Sequence, residues 1–172
     1  MNDNLANFHG WFKEPLLRLQ QDPDAGFIVV VISLVLLERY LREKSRTHES
    51  PTLNAAFYTE FLKFFPSVKS EPLSRKFCEV YRHGLMHQCT LKIQTRKGEN
   101  VTAGLHEDAS EVTHQIEGSE DKFMISPRKF SSRVIQIIEN DFATFEGSSS
   151  PKHPLSQTSS TAGYSGYSGH KP

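Results

Sequence analysis

The chain has almost no cysteine and no surplus of charge, and each shortage excludes something. Only Cys78 and Cys89 occur in 172 residues. Two cysteines cannot build a disulfide framework, and neither lies in a CxxC or Cys/His spacing that would hold zinc. Lys+Arg and Asp+Glu each total 20, so the formal net charge is zero. A protein that wraps a long nucleic acid carries excess positive charge, so any nucleic-acid contact here is expected to be local. The apolar run Gly26 to Leu37 (GFIVVVISLVLL) is followed at once by Glu38, Arg39, Arg42 and Glu43. At about a dozen residues it falls short of the roughly 20 of a membrane span. It reads as a core helix buried on nearly all sides, with no membrane association. There is no glycine-rich phosphate loop and no serine elbow. The start Met1-Asn2-Asp3-Asn4 lacks the basic residues of a signal peptide, so a cytoplasmic setting is expected.

What is present is a core. Hydrophobic residues make up 37%, and phenylalanine alone occurs 12 times. One packed domain over residues 1–146 follows without staples. Leu5, Phe8, Trp11, Phe12, Leu16 and Leu19 recur at helical spacing, with Pro15 imposing a kink or two short helices. Asp22-Pro23 is a helix start, and the central apolar helix runs from there to about Lys44. The β-branched run Ile28–Ile32 would also suit a strand, but length and the Asp-Pro start favour helix. Ser50-Pro51 repeats the start signal. Leu53, Ala56, Phe57, Phe61 and Phe64 then form a core stripe closed by Pro66. Ser126-Pro127 opens a last helix with Phe130, Val134, Ile137, Ile138, Phe142 and Phe145 inward. Ile125 and Phe130 occupy the positions of a hydrophobic staple.

Between these helices the period changes. Cys89, Leu91 and Ile93 alternate with polar residues, as do Val101, Ala103 and Leu105, around the turn Arg96-Lys97-Gly98-Glu99-Asn100. A β-hairpin over about 89–106 is therefore expected. Residues 107–122 are polar and carry no assignment. From Gly147 the Ser/Gly/Pro-rich segment cannot bury enough apolar surface to offset its ordering entropy, so residues 147–172 are expected to be disordered.

The chemistry-bearing stretch is Tyr81-Arg82-His83-Gly84-Leu85-Met86-His87. Ser70-Glu71-Pro72 starts its helix, which runs to about His87. At 100° per residue Leu73, Phe77, Cys78, Val80, Tyr81, Gly84 and Leu85 share one side. Arg75, Lys76, Glu79, Arg82, His83, Met86 and His87 share the other. Arg82, His83 and His87 thus project from a polar face, away from the subunit's own core. Histidine can move a proton near neutral pH, and arginine can stabilise charge on phosphoryl oxygens. Yet Arg82 and His87 are five apart, about 140° on a straight helix, and cannot converge unless the helix ends or a second subunit contributes.

These residues resemble the Arg-(polar)-xxx-His motif of the HEPN superfamily, here Arg82, His83, Gly84-Leu85-Met86 and His87. The layout is similar to that of small, largely bacterial HEPN-like proteins. The resemblance implies a mainly α fold: a HEPN-like bundle of about four to five helices, here with the hairpin inserted. It implies a homodimer with the motif helices meeting through their polar faces. In active members two copies build a metal-independent ribonuclease, in a toxin, defence or RNA-processing setting, where RNA and an antitoxin protein are partners. His87 would be the acid/base, Arg82 the electrostatic stabiliser and His83 a support. The 2′-OH of RNA would attack, leaving a cyclic phosphate, with no cofactor.

Other readings stand beside this one. The chain is equally read as a non-catalytic HEPN-like module for dimerisation or for binding RNA or another ligand. In that reading Glu79, His83 and His87 form a ladder of pairs on the helix surface. The same three residues, with His106 and His114 approaching in space, would be a metal site. Cys78 as a nucleophile is disfavoured by its apolar face, and Cys89 by its strand.

Overall fold

The structure is a computed structural model that describes residues 3–47, 52–85, 91, 94–95 and 97–147. Its longest element is helix α3, Gly26–Lys44, formed by the central apolar run. Asp22 accepts a hydrogen bond from the Asp24 N–H at 2.9 Å, and Pro23 opens the 3-10 turn Pro23–Ala25 that leads into the helix. The Asp-Pro start therefore works as its chemistry requires. Along one side α3 buries Val29, Val30, Leu34, Leu37 and Leu41. The opposite side is not covered: Phe27, Ile28 and Val35 are 50%, 51% and 46% exposed. The expectation of a helix buried on nearly all sides is corrected here. Apolar residues on every face show that a helix tolerates burial all round, not that neighbours exist to provide it.

Ahead of α3, α1 (Asp3–Phe8) and α2 (Glu14–Leu19) are joined by a π-helical turn, His9–Lys13. Pro15 explains the widened turn. It has no N–H to give to the preceding turn, and its ring crowds the carbonyl four residues back. The kink expected at Pro15 takes this form.

Helix α4 spans Ala55–Phe64. Its cap is Asn54, whose side chain accepts from the Phe57 N–H at 3.2 Å. The expected start, Ser50-Pro51, lies outside the described residues. Helix α5, Glu71–Phe77, starts on Ser70 with proline in its first turn, as the sequence indicates, and continues as a π-helical turn, Cys78–His83.

The strands form one mixed sheet rather than a lone hairpin. Strands β1 (Val101–Leu105), β2 (Val112–Glu117) and β3 (Glu120–Ile125) lie in the order β1-β3-β2. β2 and β3 are antiparallel, and β1 runs parallel to β3 with Val101 beside Asp121 and Leu105 beside Ile125. The unassigned segment 107–122 thus holds β2 and the turn into β3. Its two-residue loop, Gly118-Ser119, has Gly118 at φ 64°, a conformation glycine adopts without a Cβ clash. Of the expected 89–106 hairpin, the turn is present: Thr95 and Glu99 are hydrogen-bonded, and Gln94 bridges Asn100. Cys89 and Ile93 lie outside the described residues. Among the described residues the partner of β1 is β3.

Helix α6, Pro127–Asn140, is capped by Ser126 and packs along α3. Ile125 and Phe130, the staple pair, are both fully buried. The last helix does not run on to Phe145. It breaks at Asp141, and a short helix α7 follows, Phe142–Glu146. Asp141 accepts from Lys44 Nζ at 2.6 Å and Tyr40 Oη at 3.1 Å, fastening the end of α3 to this break. The mainly α class holds, with a small mixed sheet added. Residues 148–172, the Ser/Gly/Pro-rich tail, lie outside the described residues.

Candidate functional site

Burial along the motif helix follows the two faces read from its sequence. Phe77, Cys78, Val80, Tyr81, Gly84 and Leu85 are buried, Arg75 is exposed, and Lys76, Glu79, Arg82 and His83 are half-buried. The π-helical turn Cys78–His83 replaces i→i+4 closure with i→i+5 closure, so residues five apart within it come to lie nearly above one another. The 100° step therefore does not describe Cys78–His83, and α-helical closure resumes at Gly84 and Leu85. Met86 and His87 lie outside the described residues, so the geometry of the pair ends at Arg82.

Arg82 does not project freely from its face. Its guanidinium clasps the carboxylate of Glu38 on α3 with two nitrogens: Nε donates to Oε2, and Nη2 donates to Oε1 at 2.9 Å. Arg42, one helical turn beyond Glu38, donates to the same carboxylate through Nε at 2.8 Å. One carboxylate thus sits between two guanidiniums. Burial alone would push Glu38 up, but the bonds from Arg82 and Arg42 outweigh it and hold its carboxyl below the usual range. The same bonds push Arg82 further up, against the opposing effect of burial. The expectation that Arg82 points away from its own subunit's core is corrected: it is a tie between α5's continuation and α3.

Next to it, Tyr81 ties the helix to the sheet. Its hydroxyl lies 2.8 Å from the carbonyl oxygens of both Gly104 and Phe123, which share its single proton, and accepts from the Gly104 N–H at 3.2 Å. Burial drives its phenol far above the ordinary value. Adjacent residues of the motif therefore fix the helix in two directions, Tyr81 toward β1 and β3, Arg82 toward α3.

The space around Arg82 is small. A crevice of about 10 Å³ lies against Arg82 and Glu38, walled by Leu34, Leu37, Phe57, Phe61, Phe77 and Cys78. That is room for a water molecule at most. A larger groove, about 320 Å³, lies on the polar side of α5 against the Thr95–Glu99 turn. Arg75, Lys76 and Lys97 line it together with Glu71, Glu79 and Glu99. Among the described residues this lining sets three cations against three carboxylates, a balance that gives no net attraction for a phosphate chain.

The remaining candidates are placed as follows. His83 is half-buried on the polar face. His106 is exposed, whereas His114 is buried with Nε2 2.8 Å from Asp121. Asp121 also receives Lys76 at 2.7 Å, so His114 belongs to a charged network on the sheet. Among the described residues no group of three His, Cys, Asp or Glu side chains is placed to hold a metal ion. Cys78 is buried, which pushes its thiol up to about 12 and leaves no nucleophilic thiolate near neutral pH. No helix among the described residues is long and apolar enough to cross a membrane.

Glu38 and Arg42 are the site residues that sequence reasoning missed. Their i, i+4 spacing marks them as a helix pair. Nothing in the sequence says that Arg82, 44 positions away, completes it. In comparisons with known protein families, with characterised proteins and with solved structures, the chain has no match.

Proposed function

We propose that the chain is a non-catalytic, HEPN-like interaction module in which Arg82 is a structural tie rather than a ribonuclease residue. The observation that carries this reading is the bidentate clasp of Arg82 on Glu38, shared with Arg42. A guanidinium that stabilises a phosphoryl transition state must offer its donors to the substrate. Here two donors are committed to a carboxylate of the same chain, and their charge is already answered. The balanced lining of the neighbouring groove and the zero net charge support the same reading. Dimerisation is then the role of the module, and catalysis is not.

The test is incubation of the purified chain with single-stranded RNA in EDTA, beside an Arg82→Ala/His87→Ala variant. Neither is expected to cleave. Cleavage by the wild type, lost in a variant that keeps its circular dichroism spectrum, would overturn the proposal and restore the ribonuclease reading.

A further inference from the structure

Strand β2 is an outer strand of the sheet, and part of its free edge is bare. The two-residue loop Gly118-Ser119 makes Glu117 and Glu120 the bonded pair that closes the hairpin. Bonded and non-bonded pairs alternate in an antiparallel ladder, so Glu117, Gln115 and Thr113 are the residues that bond to β3. The N–H and C=O groups of Ile116, His114 and Val112 therefore point away from β3, toward the edge. Val112 is covered there. Its carbonyl accepts from Ser67 Oγ at 2.6 Å, and the 3-10 turn Pro66–Val68 packs beside it.

The other two are open. Among the described residues nothing bonds the edge groups of His114 and Ile116. The His114 side chain is 4% exposed while the residue as a whole is half-buried, so what it shows to solvent is main chain. Ile116 is 73% exposed. Thr113 to Ile116 carry no lysine, proline or bulge, the devices that keep an edge from pairing.

We infer that β2 pairs antiparallel with β2 of a second copy of the chain, about a two-fold axis at Gln115. The register follows from which groups are open, because bonded pairs on an edge join residues that both point outward. His114 against the partner's His114 would set Ile116 against the partner's Val112, whose carbonyl is taken by Ser67. Ile116 against the partner's Ile116 would set His114 against the partner's Gly118, in the turn. His114 against the partner's Ile116 uses every open group of both copies. Val112 then lies opposite the partner's Gly118, where the partner's strand turns back and leaves room for Pro66–Val68.

The side chains fit the same register. Gln115 faces the partner's Gln115, and Thr113 faces the partner's Glu117, so no like charges stand opposite one another. On the other face Ile116 lies beside the partner's His114, and in each copy the His114 ring rests 4.9 Å from the Phe123 ring. An edge that matches itself under a two-fold rotation is what an isologous dimer requires. The product is one continuous sheet with three strands from each copy. The contact is short, below the roughly 800 Å² per partner of a standard interface, so a Kd of about 100 µM is expected. The pairing deepens the interaction-module reading, on which it rests, and it is separable from it. RNA cleavage by a chain that still dimerises through β2 would remove that reading and leave the dimer.

Sedimentation velocity of the full chain from about 10 µM to 1 mM reads the equilibrium. The wild type is expected to move from monomer to dimer across this range. Ile116→Pro removes an outward N–H and leaves the bonds to β3, and Ile116→Lys places a charge on the edge. Each is expected to weaken association about tenfold or more with unchanged circular dichroism, and the lysine variant decides alone if the proline variant unfolds. Register is tested in a Cys89→Ser background. Gln115→Cys brings its Cα to about 4.5 Å from the partner's, within disulfide reach. Thr113→Cys leaves the two cysteines about 13 Å apart along the strands. The first should cross-link on oxidation far faster than the second. A wild type monomeric throughout, a dimer that survives the Ile116 substitutions undiminished, or Gln115→Cys cross-linking no faster than Thr113→Cys would each overturn the proposal.

Discussion

Replacing Glu38 should damage the protein more than replacing Arg82, and the difference tests the tie between α3 and the motif helix. The Glu38, Arg42 and Arg82 side chains are 14%, 15% and 24% exposed. They are neither fully solvated, where such pairs contribute about 0.2–1 kcal/mol, nor fully buried, where removing one partner costs about 3–5 kcal/mol. Glu38→Ala leaves two guanidiniums packed together with no carboxylate between them. Its expected cost is about 2–3 kcal/mol, or about 5–10 °C in Tm. Arg82→Ala leaves Glu38 still bound by Arg42, so about 1–2 kcal/mol is expected. In the double variant the costs should fall short of additivity by about 1–2 kcal/mol.

The assay is urea denaturation followed by circular dichroism, at pH 7 and on descending pH. Glu38 titrates below its unfolded value, which is about 4.3. Its contribution is therefore complete above the unfolded pKa and disappears as pH falls through the folded one. The wild type should lose its advantage over Glu38→Gln in that acid window and keep it whole at neutral pH. If both alanine variants cost under about 0.5 kcal/mol, the clasp is a surface pair and Arg82 is available for other chemistry. If Arg82→Ala costs more than Glu38→Ala, the account of a shared carboxylate is wrong.

Two further substitutions probe the elements around the site. Tyr81→Phe removes the hydroxyl that serves Gly104 and Phe123, and should cost about 1–3 kcal/mol in urea denaturation because buried backbone groups lose a partner. Gly118→Val places a β-branched residue at φ 64° in the turn between β2 and β3. No atom lies within 4 Å of the new Cβ, so the strain is in the backbone alone. A loss of about 1–2 kcal/mol is expected, seen as a lower urea midpoint at an unchanged slope.

The helices were legible because their signals are local. Asp22-Pro23, Ser70-Glu71-Pro72 and Ser126-Pro127 each supply a side-chain acceptor and a proline where a helix start needs them, and all three start helical segments. The strands were legible only in part. Val101, Ala103 and Leu105 alternate as a half-buried strand should, but alternation says nothing about which strand lies alongside. A turn before β1 suggested an antiparallel neighbour, of which the Gln94–Asn100 bridge is described; among the described residues the paired strand is β3, reached after β2 and running parallel. The signal for β2 and β3 was present in Gly118-Ser119, a dipeptide suited to a two-residue hairpin loop. It was obscured because the flanking residues, Thr113 to Glu117 and Glu120 to Lys122, are mostly polar. β2 lies at the sheet's edge and carries polar residues without losing its pairing, whereas Glu120 to Lys122 are the half-buried first residues of the central strand β3.

The motif illustrates a different limit. Spacing along Arg82–His87 describes what a straight helix would present, yet the helix is π-helical over Cys78–His83 and Arg82 is turned onto α3. The second fact arises from a contact distant in sequence. Residue type made Arg82 a candidate for phosphate chemistry, but the same bidentate geometry suits any carboxylate that packing brings within reach. Glu38 arrives first, because it is covalently fixed in the same folded chain and its effective concentration exceeds that of any dissolved ligand. The apolar run of α3 erred in the opposite direction. Its uniform hydrophobicity implied neighbours on every side, and the described residues supply them on only one. Apolar composition sets what α3 tolerates, whereas the exposure of Phe27, Ile28 and Val35 is set by which elements pack beside it, and those are chosen by contacts distant in sequence.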